Sequence, residues 1–228
     1  MSTPVADAGS WDPRPPCRYL PGGVVSSAVS QGGVDSVGRS NAAEERRAPV
    51  LVAALLALAV LGVFGRSVGH SFLSYDDNEY VTANGVVRSG LTLRGIGWAF
   101  TNADVYNWHP LTWISHMTDV AIFGVRPAGH HATSVLLHAA NAVLLFLLLV
   151  RVTGARWRSA LAAALFALHP LRVESVAWIS ERKDVLSGVF LMATLLAYVA
   201  WIRHGGRPRY WLVAGVLAAP IAILLLIV

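Results

Sequence analysis

Ala48-Pro49-Val50-Leu51-Val52-Ala53-Ala54-Leu55-Leu56-Ala57-Leu58-Ala59-Val60-Leu61-Gly62-Val63-Phe64-Gly65 runs without a charge, directly after Arg46-Arg47. A hydrocarbon core about 30 Å thick is crossed by roughly 20 apolar residues at the helical rise. The run is therefore read as the first span of an all-α integral membrane protein, a polytopic helix bundle. Further apolar runs follow at residues 133–150, 159–179, 184–202 and 210–228. Of the 228 residues, 55% are hydrophobic and only 14% charged. A soluble domain carries about 25% charged residues, so the apolar excess belongs to spans rather than to one large core.

The charges orient these spans. Arg151, Arg156 and Arg158 follow the second run, and Arg203, Arg207 and Arg209 follow the fourth. Cytoplasmic loops carry the excess of Lys and Arg, so both loops are placed inside. An even number of crossings must then separate them, and residues 159–179 have to cross as a helix kinked at His169-Pro170. The N-terminus is expected in the cytoplasm. The 66–132 loop and the segment from Glu174 to Asp184 are expected outside. Residues 1–47, rich in Gly, Ser and Pro, read as a disordered cytoplasmic tail. The net charge of +5 is assigned to orientation rather than to nucleic-acid binding. Cys17 is the one cysteine, which excludes an intrachain disulfide. The chain ends inside its fifth apolar run, so a truncated membrane domain of a longer product is expected. Nothing in the sequence bears on oligomeric state.

Two stretches of the outer loop are amphipathic. One covers residues 91–100. The other starts at His109-Pro110 and runs to Phe123, with Trp113, Met117, Val120 and Ala121 on one helical face. Pro110 suits a first turn. Both are read as helices lying on the membrane surface.

Three groups of residues could carry chemistry. Ser74-Tyr75-Asp76-Asp77-Asn78-Glu79 sets two adjacent carboxylates just beyond the first span. Asp76 or Asp77 could take a proton from a hydroxyl, or hold a divalent cation beside a phosphate; a solvated acidic turn is the plain alternative. The second group is His169, Arg172 and Glu174, then Glu181, Arg182, Lys183 and Asp184. Charges at the mouth of two spans are costly unless paired or wetted by a cavity. Arg172, Arg182 and Lys183 could neutralise a phosphate, and the carboxylates could bind sugar hydroxyls; loop ion pairs weigh equally. The third group is histidine: His109, His116, His130 and His131 in the outer loop beside Asn107, with His138 one turn from Asn141 inside a span. A metal or haem site is one reading. No Cys ligand and no tight His pair accompany them, so hydrogen-bonded interfacial histidines are preferred. Walker, dinucleotide and nucleophile-elbow motifs are absent.

Several blocks in one order resemble a known family. They are Tyr75-Asp76-Asp77-Asn78-Glu79-Tyr80-Val81-Thr82, Asn107-Trp108-His109-Pro110-Leu111-Thr112-Trp113-Ile114-Ser115-His116 and Gly129-His130-His131-Ala132-Thr133. The fullest is Leu168-His169-Pro170-Leu171-Arg172-Val173-Glu174-Ser175-Val176-Ala177-Trp178, followed by Glu181-Arg182-Lys183-Asp184-Val185-Leu186-Ser187. Together they are similar to bacterial membrane proteins with C-terminal tetratricopeptide repeats. Those in turn resemble the transmembrane and tetratricopeptide repeat-containing O-mannosyltransferases of animals. The resemblance implies a GT-C glycosyltransferase bundle in a bacterial inner membrane, with the 66–132 loop periplasmic. It implies a polyprenyl-phosphate sugar as donor, entering from the membrane, and a Ser or Thr hydroxyl, on a protein or another molecule, as acceptor. Asp76 and Asp77 take the place of the family's acidic pair, and His169, Glu174, Arg182 and Asp184 that of its second outer motif. The family continues through more spans and repeats, so this chain is expected to be the N-terminal part of such a protein. No cofactor beyond a divalent cation is implied. A non-catalytic membrane scaffold for a repeat domain and a His-lined metal or haem protein remain the competing readings.

Overall fold

A computed structural model describes residues 31–102 and 108–205, with isolated helical positions at 208, 213, 215 and 218. It divides into Met1–Asn41 and Ala42–Val228, and the apolar helices with the loops that join them belong to the second unit. The described residues are all-helical. In order they form α1 (Gln31–Phe64), α2 (Gly85–Arg88), α3 (Leu93–Thr101), α4 (Pro110–Phe123), α5 (Pro127–Thr153), α6 (Arg156–Leu168), α7 (Arg172–Ala177) and α8 (Arg182–Arg203). Residues 31–47, expected to be disordered, are helical. Ala42-Ala43-Glu44-Glu45-Arg46-Arg47 is made of strong helix formers, which the Gly, Ser and Pro content of the whole tail conceals. Residues 1–30 lie outside the described residues, as does the expected span 210–228 apart from the helical positions 213, 215 and 218.

Among the described residues, three helical segments are long and apolar enough to cross a membrane: Ala48–Gly69, Pro127–Thr153 and Arg182–Arg203. Each extends beyond the run read from sequence, because polar residues join the ends of a helix whose middle alone is apolar. α5 begins with Pro127 in its first turn, where the missing N–H costs no bond. It ends at Gly154 in the left-handed region.

Side-chain packing gives the directions. Leu56 meets Phe146 and Ala163 in one cluster, while Val60 and Phe64 meet Val135, Ala139 and Ala167 in another. α1 and α5 are therefore antiparallel, with α6 beside them. Arg182 at the start of α8 touches Ser134 near the start of α5. Arg203 at the end of α8 donates to the carbonyl of Arg151 at the end of α5. Helices α5 and α8 are parallel, so the intervening chain returns along the bundle through α6 and α7. It does so in two pieces rather than as one kinked span. α6 has 13 residues, about 20 Å at 1.5 Å per residue, and stops where His169 turns extended before Pro170. A residue preceding proline is disfavoured in the α region.

Above the bundle, α2, α3 and α4 form a cap around Val87, Ala99, Trp113, Met117 and Val120, joined by Tyr80, Val81 and Ile179. Tyr80 stacks on Trp113 at 4.7 Å. Trp113, Met117 and Val120 are buried as their shared face requires, but Ala121 is exposed. α3 and α4 thus pack on one another and on the chain beneath.

Gly129 marks the tightest point of the cap–bundle junction. A Cβ there would lie 2.6 Å from the Phe123 ring. Gly129→Ala is expected to lower stability by about 1–3 kcal/mol, as overpacking does, despite alanine's better helix propensity. With Phe123→Gly in the background, which removes the Cβ at 2.7 Å along with the ring, the same change should become neutral or stabilising. Thermal unfolding of the four proteins reads the sign.

Candidate active site

The stretch after the first span is fastened to three separate elements. Phe72 lies 5.6 Å from the His130 ring, Tyr80 packs on α4, and Tyr75 lies 6.1 Å from Trp178. Asp77 makes the most specific link. Its carboxylate accepts the Leu73 amide at 2.9 Å and the Ser180 amide at 3.1 Å, and it is wholly buried. Ser180 belongs to the turn between α7 and α8. One side chain therefore joins the acidic stretch to the motif that opens α8. Asp76, its neighbour, is half-buried and makes no hydrogen bond or ion pair with a described residue. The two carboxylates, interchangeable in the sequence, are distinct in the fold.

Below them lies a buried polar cluster. Arg182 pairs with Asp119 at 2.5 Å. It also donates to the Ser115 hydroxyl at 3.0 Å, the His130 carbonyl at 2.6 Å and the Ser134 hydroxyl at 3.3 Å. Asp119 accepts from Thr133 at 2.7 Å and faces His130 Nδ1 at 3.3 Å. His116 Nδ1 and His130 Nδ1 are 3.2 Å apart. Arg182, a sequence candidate for phosphate, is fully buried and its nitrogens are engaged internally. Asp119, absent from the sequence candidates, is its counter-ion. An acidic residue in the apolar α4, three residues after His116, was the available signal.

His116, Asp119 and His130 place donor atoms within 4.8 Å of one another, close enough to share a metal ion. Arg182 already neutralises the one carboxylate, so a divalent ion would add two buried charges beside a guanidinium. The arrangement favours the hydrogen-bonded reading. Burial pushes the His116 imidazole well below its usual 6.5, and Arg182 and His130 add to this. Burial also lowers His109 at the start of α4, with Lys183 contributing. Burial works against the Asp119 charge, but His130, Arg182 and Thr133 outweigh it and hold the carboxyl below its usual value.

The other candidates lie apart from this cluster. Lys183 pairs with Glu181 at 2.8 Å. Asp184 accepts from the Ser175 hydroxyl at 2.9 Å. His169 and Glu174 are exposed. His131 is buried 6.1 Å from His70. Asn107 lies outside the described residues. Arg172 rests over the Phe166 ring, 4.6 Å from its centre. It lines a cavity of about 380 Å³ with His138, Asn141 and Asp184.

Curated relatives bear on this geometry. Over its matched residues the chain is homologous to animal proteins named protein O-mannosyl-transferases. It is 34% identical over 137 residues to the protein O-mannosyl-transferase Tmtc1 of Drosophila melanogaster, covering 57% of this chain and 16% of that protein. It is 32% identical over 169 residues to TMTC1 of Mus musculus, covering 69% of this chain and 18% of that protein. For TMTC1 of Homo sapiens the figures are 32% over 161 residues, 66% and 18%. The chain thus spans less than a fifth of the length of these relatives. No family model matches it, and no solved structure matches it significantly.

Two outcomes test the cluster. Asp119→Ala leaves Arg182 buried without its counter-ion and should cost about 3–5 kcal/mol in an unfolding measurement. Acid should also destabilise the folded chain. Below about 6.5 the unfolded imidazoles of His109 and His116 bind protons that the folded ones refuse, so the unfolded state gains protons and stability falls with pH. The unfolding temperature should drop between about pH 7 and pH 5, and His116→Gln should make the slope shallower. An unchanged unfolding temperature across that window would show that these imidazoles are not held neutral.

Proposed function

We propose that this chain forms part of a membrane glycosyltransferase of GT-C type. It moves a sugar from a polyprenyl-phosphate donor to a hydroxyl acceptor, a protein Ser or Thr, at the outer face of a bacterial inner membrane. The observation that carries the reading is the hydrogen bond from the Ser180 amide to Asp77. Through it the acidic stretch and the second outer motif become one surface. The homology to named protein O-mannosyl-transferases supports the same reaction class.

In this reading the work is divided between the carboxylates. Asp77 is a positioning residue, since both oxygens hold backbone amides and neither is exposed. Asp76 is the general base, because it is the partly exposed member of the pair. The acceptor O–H gives its proton to Asp76 as the hydroxyl oxygen forms a bond to the anomeric carbon. The bond from that carbon to the phosphate oxygen breaks, and its electron pair leaves with the lipid phosphate. Positive charge gathers on the sugar ring and negative charge on the departing phosphate. A lipid phosphate is a good leaving group and needs charge stabilisation more than a proton. Arg172 is the cation placed to provide it, since Arg182 is engaged with Asp119 and Lys183 with Glu181. Nothing in this scheme calls for a divalent ion; were one bound, Asp76 would hold it and it would supply positive charge to stabilise the departing phosphate.

Asp76→Asn should lower transfer by about 10²–10⁴-fold, as loss of a general base does, with little change in unfolding temperature. Asp77→Asn should lower both, because its amide nitrogen would face a backbone N–H donor. The assay is release of sugar from a polyprenyl-phosphate donor by membranes carrying the chain in its full gene product. Undiminished transfer by Asp76→Asn would remove it from the base role.

A further inference from the structure

The face of the bundle opposite the cap carries charge that no carboxylate answers. Arg151 lies there in the last turn of α5, Arg203 in the last turn of α8, and Arg156 and Arg158 in the first turn of α6. None of the four pairs with a carboxylate among the described residues. The sequence supplies none nearby: no Asp or Glu lies between Asp119 and Glu174, and none follows Asp184. Glu44 and Glu45, before the first span, are matched in number by Arg46 and Arg47. Arg151 and Arg203 have an explanation, since the C-terminal end of a helix favours a cation. Arg203 also donates to the Arg151 carbonyl. Arg156 and Arg158 stand at the opposite, positive end of a helix, where a cation is disfavoured. That turn has no acidic residue and no side-chain cap.

A groove opens beside that turn. It lies between α1 and α6, has a volume of about 370 Å³ and is lined by aliphatic side chains and one indole. Leu56 is its buried floor, and Leu55 and Leu161 are its exposed edges. Ala160 and Ala164, one turn apart on α6, leave a trough that longer side chains would fill. Trp157 stands at the mouth with 75% of its surface exposed. At about 100° per residue, Arg156 and Arg158 flank Trp157 on either side. From Trp157 to Ala164 the groove follows α6 for about 10 Å. An indole and arginines at the end of apolar helices are what a membrane interface selects.

We propose that this groove seats one acyl chain of an anionic glycerophospholipid whose phosphate is held between Arg156 and Arg158. The two guanidiniums give charge and N–H donors to the phosphate oxygens. The phosphate in turn offsets two cations placed at the positive end of a helix. Trp157 lies at the depth of the glycerol esters, and the chain descends over Ala160 and Ala164. Charge complementarity selects this occupant. A second copy of the chain would bring the same cations to the same face, and an apolar helix would leave them unanswered. A zwitterionic head carries its own cation beside the phosphate and gains less. Basic pockets between spans are a general place for anionic heads. The site is at the other end of the bundle from Asp76 and Arg172, and the inference is independent of the transfer reading. Its consequence is structural: α6, short for a span, gains a neighbour along its exposed side.

The test places the chain in nanodiscs with phosphatidylglycerol or phosphatidylcholine, each bearing the same diazirine-tagged acyl chain. Phosphatidylglycerol should label the peptides containing Leu55 and Ala160 about tenfold more strongly than phosphatidylcholine does. Leu195, exposed on α8, should be labelled equally by both and serves as the reference. Arg156→Gln and Arg158→Gln together should lower phosphatidylglycerol labelling of the groove by about tenfold or more, as loss of two arginines beside an anionic head does. The corresponding pair of lysines should keep most of it. Ala160→Phe, which fills the trough, should remove labelling at Leu55 with both arginines intact. Unfolding temperatures establish that each variant is folded. Phosphatidylglycerol should also raise the unfolding temperature of the unaltered chain and leave that of the glutamine pair unchanged. Equal labelling of the groove by the two lipids, a preference that survives the glutamine pair, or the same preference at Leu195 would overturn the inference. So would a groove that neither lipid labels, as a protein helix seated there would produce.

Discussion

Arg182 is a cation that a membrane bundle can bury only under strict conditions. Desolvating a guanidinium costs several kcal/mol, and attraction to one carboxylate offsets that only when its other donors are also satisfied. Here Asp119 supplies the charge, and Ser115, Ser134 and the His130 carbonyl take the remaining N–H groups. These partners come from α4 and α5, while Arg182 is the first residue of α8. The pair therefore decides how the cap sits on the spans. The turn just before Arg182 contains Ser180, whose amide holds Asp77. Local folding beyond the first span and the start of α8 are thus settled by one neutralised charge.

The same logic explains why two carboxylates in sequence have different fates. Successive residues at the start of a helical turn point in different directions, so only one can face the α7–α8 turn. Asp77 does, and its two oxygens are saturated by backbone donors. Asp76 is left at the edge, half-buried and unbonded to described residues. In the proposed transfer reaction, a rigid neighbour beside the general base is a useful arrangement. The base's backbone is held while its side chain keeps the freedom to meet an acceptor.

Much of this architecture could be read from the chain alone, for identifiable reasons. Long uncharged runs have few alternatives to spanning, so α1, α5 and α8 were legible. Pro110 and the face formed by Trp113, Met117 and Val120 marked α4. Pairing was not legible. The charge pattern placed Arg172, Arg182 and Lys183 together as phosphate ligands, yet nothing in their spacing distinguishes a guanidinium that turns inward from one that does not. The difference lies in Asp119, some sixty residues earlier, and only the tertiary fold brings it to Arg182. Asn141 was legible as a polar residue facing the bundle. Its half-satisfied amide was not, because that depends on Gly188 two turns into another helix.

The break at His169-Pro170 connects the helix order to the cavity. Had residues 159–179 formed one straight span, that helix would run alongside α5 for its whole length, as α8 does. Instead α6 stops early, and His138 meets the carbonyl of Ala167 in its last turn. α7 then turns to bring Ser175 onto Asp184 of α8. A short helix of about 20 Å cannot line the full depth of the bilayer, so a gap opens between α6 and α8. Arg172 sits at the first position after the break, where its guanidinium can rest on Phe166 of the helix it has just left. Proline thus does two things at once: it shortens the wall, and it sets a cation at the opening. A continuous helix would have buried that arginine at membrane depth without a counter-ion, a far less tolerable position.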